Sequence, residues 1–311
     1  MENDGHFQQS NISNLFYSKK SLYAKSAKIE KRKEIITSNP IPNMEPVGIL
    51  GYTQLFKVYN KQSNALSFAK ENGMGLMVFA FEGVAVGEGG RRNFLVCHPR
   101  KLWNNIKNRP LHYRCTYEVI PENCHCKLYF DLEYSKEFNP NLNGTQMVLA
   151  FIHIINSFIF QKFGITCNSE NVLDLESSTD KKFSRHLIYN HPQLYFENNG
   201  HIGRFVKDIC KYLKEVYEGE VQELKIPDIN VFDIKKLFVK TESSVTLFCD
   251  QGVYSKNRNF RILGSTKLRK DSPLVISLEN KYKPILHTKN EDENWFIDSL
   301  VTYVPPNIET N

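Results

Sequence analysis

The sequence predicts an α+β fold with a mostly antiparallel sheet, and two observations carry that expectation. From residue 116 onward the apolar pattern reads strand, strand, helix, strand, helix, strand, strand. Within it, KLYFDLEYS (127–135) and FSRHLIY (183–189) alternate with the period of two that strands require, while 145–163 repeats at helical spacing. Strict alternation of strands with helices would have predicted a parallel α/β sheet instead.

Residues 1–45 are polar and rich in Asn, Ser and Lys, with one helical stretch at 21–36 (SLYAKSAKIEKRKEII) ended by Pro40 and Pro42. A mobile basic arm is expected there. From residue 52 to about 69 the pattern is helical, anchored by Leu55, Val58, Tyr59, Leu66 and Phe68. MGLMVFAFEGVAV (74–86) reads as a buried strand, Gly87, Gly89 and Gly90 as a hairpin, and NFLVCH (93–98) as the partner strand. TYEVIP (116–121) and KLYFDLEYS are strands, followed by a turn-rich loop at 136–144. The helix over 145–163 places Val148, Phe151, Ile152, Ile155 and Ile159 on one stripe, with Gly164 where a C-cap belongs. A second helix runs over about 202–216, and the charged, poorly patterned stretch 217–243 is expected to be a linker or surface excursion. SSVTLFCD (243–250) and NFRILG (259–264) close the pattern as strands.

Composition narrows the class. At 311 residues, 41% hydrophobic and 24% charged, the chain has the make-up of a soluble globular protein. The most apolar stretch, 148–160, is shorter than the roughly 20 residues of a membrane span and carries His153 and Asn156. The N-terminus has no apolar signal region, and seven cysteines at irregular positions argue for a reducing compartment. Cys124, His125 and Cys126 lack a second ligand pair at structural-zinc spacing, so no zinc is expected within this chain.

The formal charge of +6 is unevenly spread. Residues 91–115 hold seven Lys/Arg and no Asp or Glu, and 251–290 hold nine Lys/Arg against Asp271 and Glu279. Such blocks suit contact with a polyanion, through release of counterions from phosphates, although a solvated basic face would look the same.

The strand 127–135 is the most informative segment. Leu128, Phe130 and Leu132 face one side, Asp131 and Glu133 the other. Adjacent carboxylates on a sheet face repel unless a cation lies between them, and all-oxygen ligands suit Mg²⁺ or Mn²⁺; an exposed polar strand face is the plainer alternative. In FSRHLIY, Ser184 and His186 share a face, a pair able to hold phosphate oxygens, with Lys182 just before. A Ser–His hydrolase lacks its G-x-S-x-G elbow here, and a lone strand histidine is commonly structural. Asp250 ends an apolar strand, and Arg258, Arg261 and Lys267 follow, cations suited to clamping a triphosphate. Three carboxylates, a basic clamp and Ser-x-His together make up what two-metal phosphoryl transfer requires.

The segments YEVIPENCHCKLYFDLEYS, NVLDLESSTDKKFSRHLIY and DQGVYSKNRNFRI resemble the catalytic motifs of the eukaryotic DNA-directed primase/polymerase (PrimPol) family, of the archaeo-eukaryotic primase superfamily. The resemblance covers roughly residues 46–305. It implies two modules, 46–115 an N-terminal α/β module and 116–305 a catalytic module with an RRM-like, mostly antiparallel sheet flanked by helices, with 306–311 as a tail. It implies that Asp131, Glu133 and Asp250 bind Mn²⁺ or Mg²⁺ and are catalytic. It places Lys182, Ser184, His186, Arg261 and Lys267 on the triphosphate, Arg258 nearby, and Arg92 close to nucleotide and template.

The activity so implied is extension, and initiation, of DNA primers on a template with dNTPs, in replication restart, translesion synthesis and damage tolerance, by a monomer in nucleus and mitochondrion with no membrane attachment. Basic segments 19–33 and 91–115 would follow the template backbone. Family members also carry a C-terminal zinc-binding region needed to start a primer and an acidic tail that binds the single-strand-binding protein RPA. After Tyr303 this sequence supplies no Cys or His, so either a catalytic-core fragment or an enzyme that extends primers without starting them efficiently is expected. A non-catalytic single-stranded nucleic-acid-binding module and a metal-dependent nuclease are the rival readings.

Overall fold

The structure, a computed structural model, describes residues 55–73, 75–82, 92–110, 113–221, 224, 229–285, 287–304 and 310. The arm at 1–45 with its helix, the Gly-rich hairpin and the tail from 306 lie outside these residues, save Thr310. The chain forms two units, one holding the residues up to Val119 with Ser265–Asp271, the other Ile120–Gly264 with the residues from Ser272 onward.

In the first unit the strands β1 (Phe56–Tyr59), β2 (Met77–Glu82), β3 (Arg92–Cys97) and β4 (Thr116–Ile120) run in the order β1-β3-β2-β4, each neighbouring pair antiparallel. Helix α1 (Gln62–Asn72) buries Ala65 against Val78, Ala80, Phe94 and Val96. The helix expected from residue 52 therefore begins later, at Gln62. Its first part is a strand instead, because Phe56–Tyr59 pairs along the edge of β3, a long-range contact that local spacing does not record. Helix α2 (Pro99–Ile106) was not anticipated, although Pro99 at its first position and His98 as N-cap, accepting from the Arg100 N–H at 3.3 Å, are ordinary start signals.

The second unit has a sheet in the order β13-β7-β8-β6, formed by β6 (Tyr129–Ser135), β7 (Val172–Glu176), β8 (Lys182–Tyr189) and β13 (Val275–Ile276). A short pair, β5 (Cys126–Lys127) and β9 (Tyr195–Phe196), lies apart from it. Helices α3 (Gly144–Phe163) and α4 (Asn199–Glu218) contribute Phe151, Ile155, Ile202, Phe205 and Val206 to a core shared with Phe130 and Leu132. Both helices are bounded as their sequences dictate: Asn143 and Asn198 accept from the N–H groups of Gln146 and His201, and Gly164 and Gly219 take left-handed φ values of 68° and 81°. By length and hydropathy α3 is long and apolar enough to cross a membrane, but its apolar stripe packs on this core.

The stretch 217–243, expected to be a linker or surface excursion, carries regular structure among its described residues. It contains α5 (Val231–Lys235) and β10 (Phe238–Lys240), and buries Ile234, Leu237 and Val239. Ile229 is buried there too, while Val231 and Phe232 stay exposed, and β10 closes a hairpin with β11 (Val245–Leu247). Strand β12 (Arg258–Arg261) follows, and α6 (Glu291–Asp298) ends the described elements. At the start of α3 a Cβ on Gly144 would lie 2.2 Å from the Phe183 ring. Gly144→Ala is expected to destabilise the protein by about 1–3 kcal/mol through overpacking. An unchanged urea midpoint for that variant would refute the close approach.

Candidate active site

Residues Asp131 and Glu133 stand on β6, and the antiparallel register sets Asp131 opposite His186 and Glu133 opposite Ser184 on β8. The other edge of β6 receives the segment carrying Asp250. Leu132 bridges Cys249, the Glu133 N–H donates to the Phe248 carbonyl at 2.8 Å, and the Asp250 N–H donates to the Asp131 carbonyl at 2.8 Å. In that register Asp250 lies opposite Asp131. Residues directly opposite on neighbouring strands point to the same face, so Asp131, Glu133, Asp250, Ser184 and His186 share one face of the sheet. Because the backbone groups of Asp131 and Glu133 serve the 248–250 segment, their pairs with β8 are the non-hydrogen-bonded kind, in which side chains lie closest.

The opposite face carries Phe130 and Leu132, with Phe130 edge-on to Phe151 of α3 at 5.1 Å. Burial of that face fixes the register, and a slip of one residue would send the carboxylates into the core.

Each acidic side chain has a different neighbour. The Glu133 carboxylate is ion-paired with Lys182. An oxygen of Asp131 is 3.8 Å from His186 Nε2. Asp250 Oδ1 accepts from the Gly252 N–H at 2.8 Å, capping a short turn of helix. Drawn this way, no three His, Cys, Asp or Glu side chains among the described residues converge into a metal-holding cluster. The donor set nonetheless fits a hard divalent cation, being three carboxylates on neighbouring positions of one face with a lysine ammonium already held by one of them.

Behind the face, a hydrogen bond with Cys210 and burial push the Cys249 thiol well above its ordinary range, with Asp131 and Asp250 adding to the effect. The thiol is thus neutral and unreactive.

Phe260, which sequence reasoning passed over, fixes the histidine. Its ring stacks on His186 with centroids 4.3 Å apart and meets Tyr129 edge-on at 4.9 Å. The only sequence signal was its alternation with Arg261 in NFRILG. Tyr129 shares the carboxylate face, but it is fully buried and its hydroxyl donates to the Val253 carbonyl at 2.9 Å.

The basic residues divide. Arg261 is buried and donates to the Ser272 carbonyl at 3.0 Å and to Ser177 Oγ at 2.7 Å, which anchors β12 and with it Phe260. Arg258 is half-buried on the same strand. Arg92 and Lys267 belong to the first unit. There the Arg92 guanidinium lies 3.0 Å from Glu82 and 4.7 Å from the Tyr117 ring centroid, and Lys267 closes a turn in which its carbonyl accepts from Lys270. Cys126 is buried in β5, while Cys124 and His125 precede it in the loop that follows the turn at Glu122 and Asn123.

Comparison with known proteins now decides the family. The chain is 34% identical over 269 residues to the DNA-directed primase/polymerase protein of Danio rerio, and 33% identical over 298 residues to that of Homo sapiens. These alignments take in 81% and 80% of this chain. The chain belongs to the DNA-directed primase/polymerase family. A third relative with that name, from Mus musculus, is 34% identical over 282 residues. The chain spans about half the length of these primase/polymerase relatives, from 51% to 53%. No family model matches it. The mixed α+β fold with mostly antiparallel sheets is the one expected of a primase–polymerase core.

Proposed function

We propose that the chain is a template-directed nucleotidyltransferase that extends a DNA primer with dNTPs. The observation that carries this reading is the gathering of Asp131, Glu133 and Asp250 on one sheet face beside Ser184 and His186, in a chain of this family. Asp131, Glu133 and Asp250 would hold Mn²⁺ or Mg²⁺, which when bound stabilises charge on the attacking and leaving oxygens.

The chain's own residues supply positioning. Ser184 Oγ and His186 Nε2 offer donors to phosphate oxygens, and the Phe260 stack holds the imidazole plane so that its N–H direction is preset. Lys182 Nζ, now paired with Glu133, is within reach of the same face and can exchange that partner for a phosphate as a cation takes its place on Glu133. Resemblance to the family supports Arg258, Arg261, Lys267 and Arg92 as further phosphate and template contacts. It likewise supports a place in damage tolerance in nucleus and mitochondrion, initiation of primers, and docking of RPA by the full-length protein.

The rivals are weaker. A binding module with an RRM-like sheet stacks bases on exposed aromatics, and Tyr129 on this face is buried. A nuclease needs no triphosphate. The test is extension of a labelled primer on a template with Mn²⁺, with and without dNTPs. Growth of the primer only when dNTPs are added is expected; shortening without them would make the chain a nuclease.

A further inference from the structure

An open pocket of about 630 Å³ lies beside the carboxylates, lined by Glu133, Phe138, Lys181, Lys182, Lys240 and Asp250 among others. We propose that it seats the 3′-terminal nucleotide of the strand being extended, with the base on Phe138 and its phosphate on Lys181 and Lys240. The inference rests on the polymerase reading above and assigns a second subsite to it.

Ser184 and His186, the phosphate-holding pair of that reading, do not line the pocket, whereas Glu133 and Asp250 do. Of the proposed phosphate donors Lys182 alone lines it, so the pocket adjoins the carboxylates at the Lys182 end of β8, away from His186, the side left for the attacking 3′-hydroxyl of an in-line displacement.

The wall chemistry is that of a nucleotide subsite. Phe138 is 42% exposed, an aromatic ring left open to solvent at the rim. A base has a π-face to cover it whatever the sequence, which suits a site that must accept any terminus. Lys181 and Lys240 are exposed and form no ion pair among the described residues, so their charge is available to a phosphate.

Lys240 is held in place by its backbone. The buried Asn139 side chain donates to the carbonyls of Ser135 at 3.0 Å and Lys240 at 2.8 Å, and accepts from the Lys240 N–H at 2.9 Å. These bonds clamp β10 to the turn after β6, fixing the distance between the lysine and the carboxylates while its ammonium stays in solvent.

The test uses a primer–template with 5-iododeoxyuridine at the primer 3′ end, photocrosslinked and mapped by mass spectrometry, with binding followed by fluorescence anisotropy. The crosslink is expected on the peptide containing Phe138. Primer–template affinity is expected to fall at least about tenfold in Phe138→Ala and in Lys181→Ala/Lys240→Ala, and to return in Phe138→Trp. The KM for dNTP should stay unchanged. A crosslink elsewhere, or variants that bind as the wild type does, would overturn the assignment. So would a Phe138 crosslink formed by 5-iodo-dUTP, which would make this the seat of the incoming nucleotide. Wild-type extension unaffected by these variants sinks the subsite alone. A Phe138 crosslink from a chain that cannot extend primers sinks the polymerase reading and leaves a terminus-binding site.

Discussion

Asp131→Ala is expected to lower primer extension by at least about a hundredfold while the protein stays as stable as the wild type, or becomes more so. The two halves of this expectation have separate causes. Asp131 is the central carboxylate, opposite Asp250 on one neighbouring strand and His186 on the other. Removing it would take away the central one of the three carboxylates proposed to hold the cation. The same carboxylate repels Asp250 across the strand pair, so its loss relieves an unfavourable contact when no cation is bound. Extension rates at saturating dNTP and thermal unfolding of the same preparation measure both. A variant that keeps activity within about twofold of the wild type, against the hundredfold expected, would remove Asp131 from the site.

The largest stability effect is expected at Arg185, on the helix-side face of β8. Its guanidinium is 3% exposed, lies 2.8 Å from both Asp174 and Glu279, and 3.5 Å from Glu176. It also donates to Ser277 Oγ. Burial works against its charge, but Asp174, Glu279 and Glu176 outweigh that and raise its pKa. Arg185→Leu should cost about 3–5 kcal/mol, because Asp174 is left buried without its cation. Pairing it with Asp174→Leu should recover part of the loss in a double-mutant cycle.

Acid titration probes the same cluster. Burial pushes Asp174 up to about 6 against the pull of Arg185. The folded state thus holds this proton, and the contribution is present below 3.8 and lost as pH rises through about 6. Glu279 behaves oppositely. Hydrogen bonds from Arg185 and Ser277 pull it down to about 2, so its contribution is present above 4.5 and lost as pH falls towards about 2. The stability difference between wild type and Glu279→Gln should therefore be constant above about pH 6, where Asp174 is ionised as well, and vanish near pH 2. A difference that survives at pH 2 would exclude the ionised carboxylate as its source.

What the sequence made legible was local. The period-two alternation in 127–135 and 183–189 places Asp131 with Glu133 and Ser184 with His186, and β6 and β8 preserve both pairs. The stripe and terminal glycine of α3 were equally readable, because helix spacing and caps are short-range. The pairing of the 248–250 segment with β6, which sets Asp250 beside Asp131, is a long-range hydrogen-bonding choice with no local signature. For the same reason β1 read as helix, β7 went unnoticed, and nothing local marked the partners of Arg185, two of which come from the distant stretch around Ser277 and Glu279.

The claim that Asp131, Glu133 and Asp250 form one cation site is tested most directly by Mn²⁺ titration followed by electron paramagnetic resonance, in the presence of a dNTP. The wild type is expected to bind Mn²⁺, and Asp250→Ala to lose that binding as fully as Asp131→Ala does. Wild-type binding retained in Asp250→Ala would separate the third carboxylate from the other two and contradict the site.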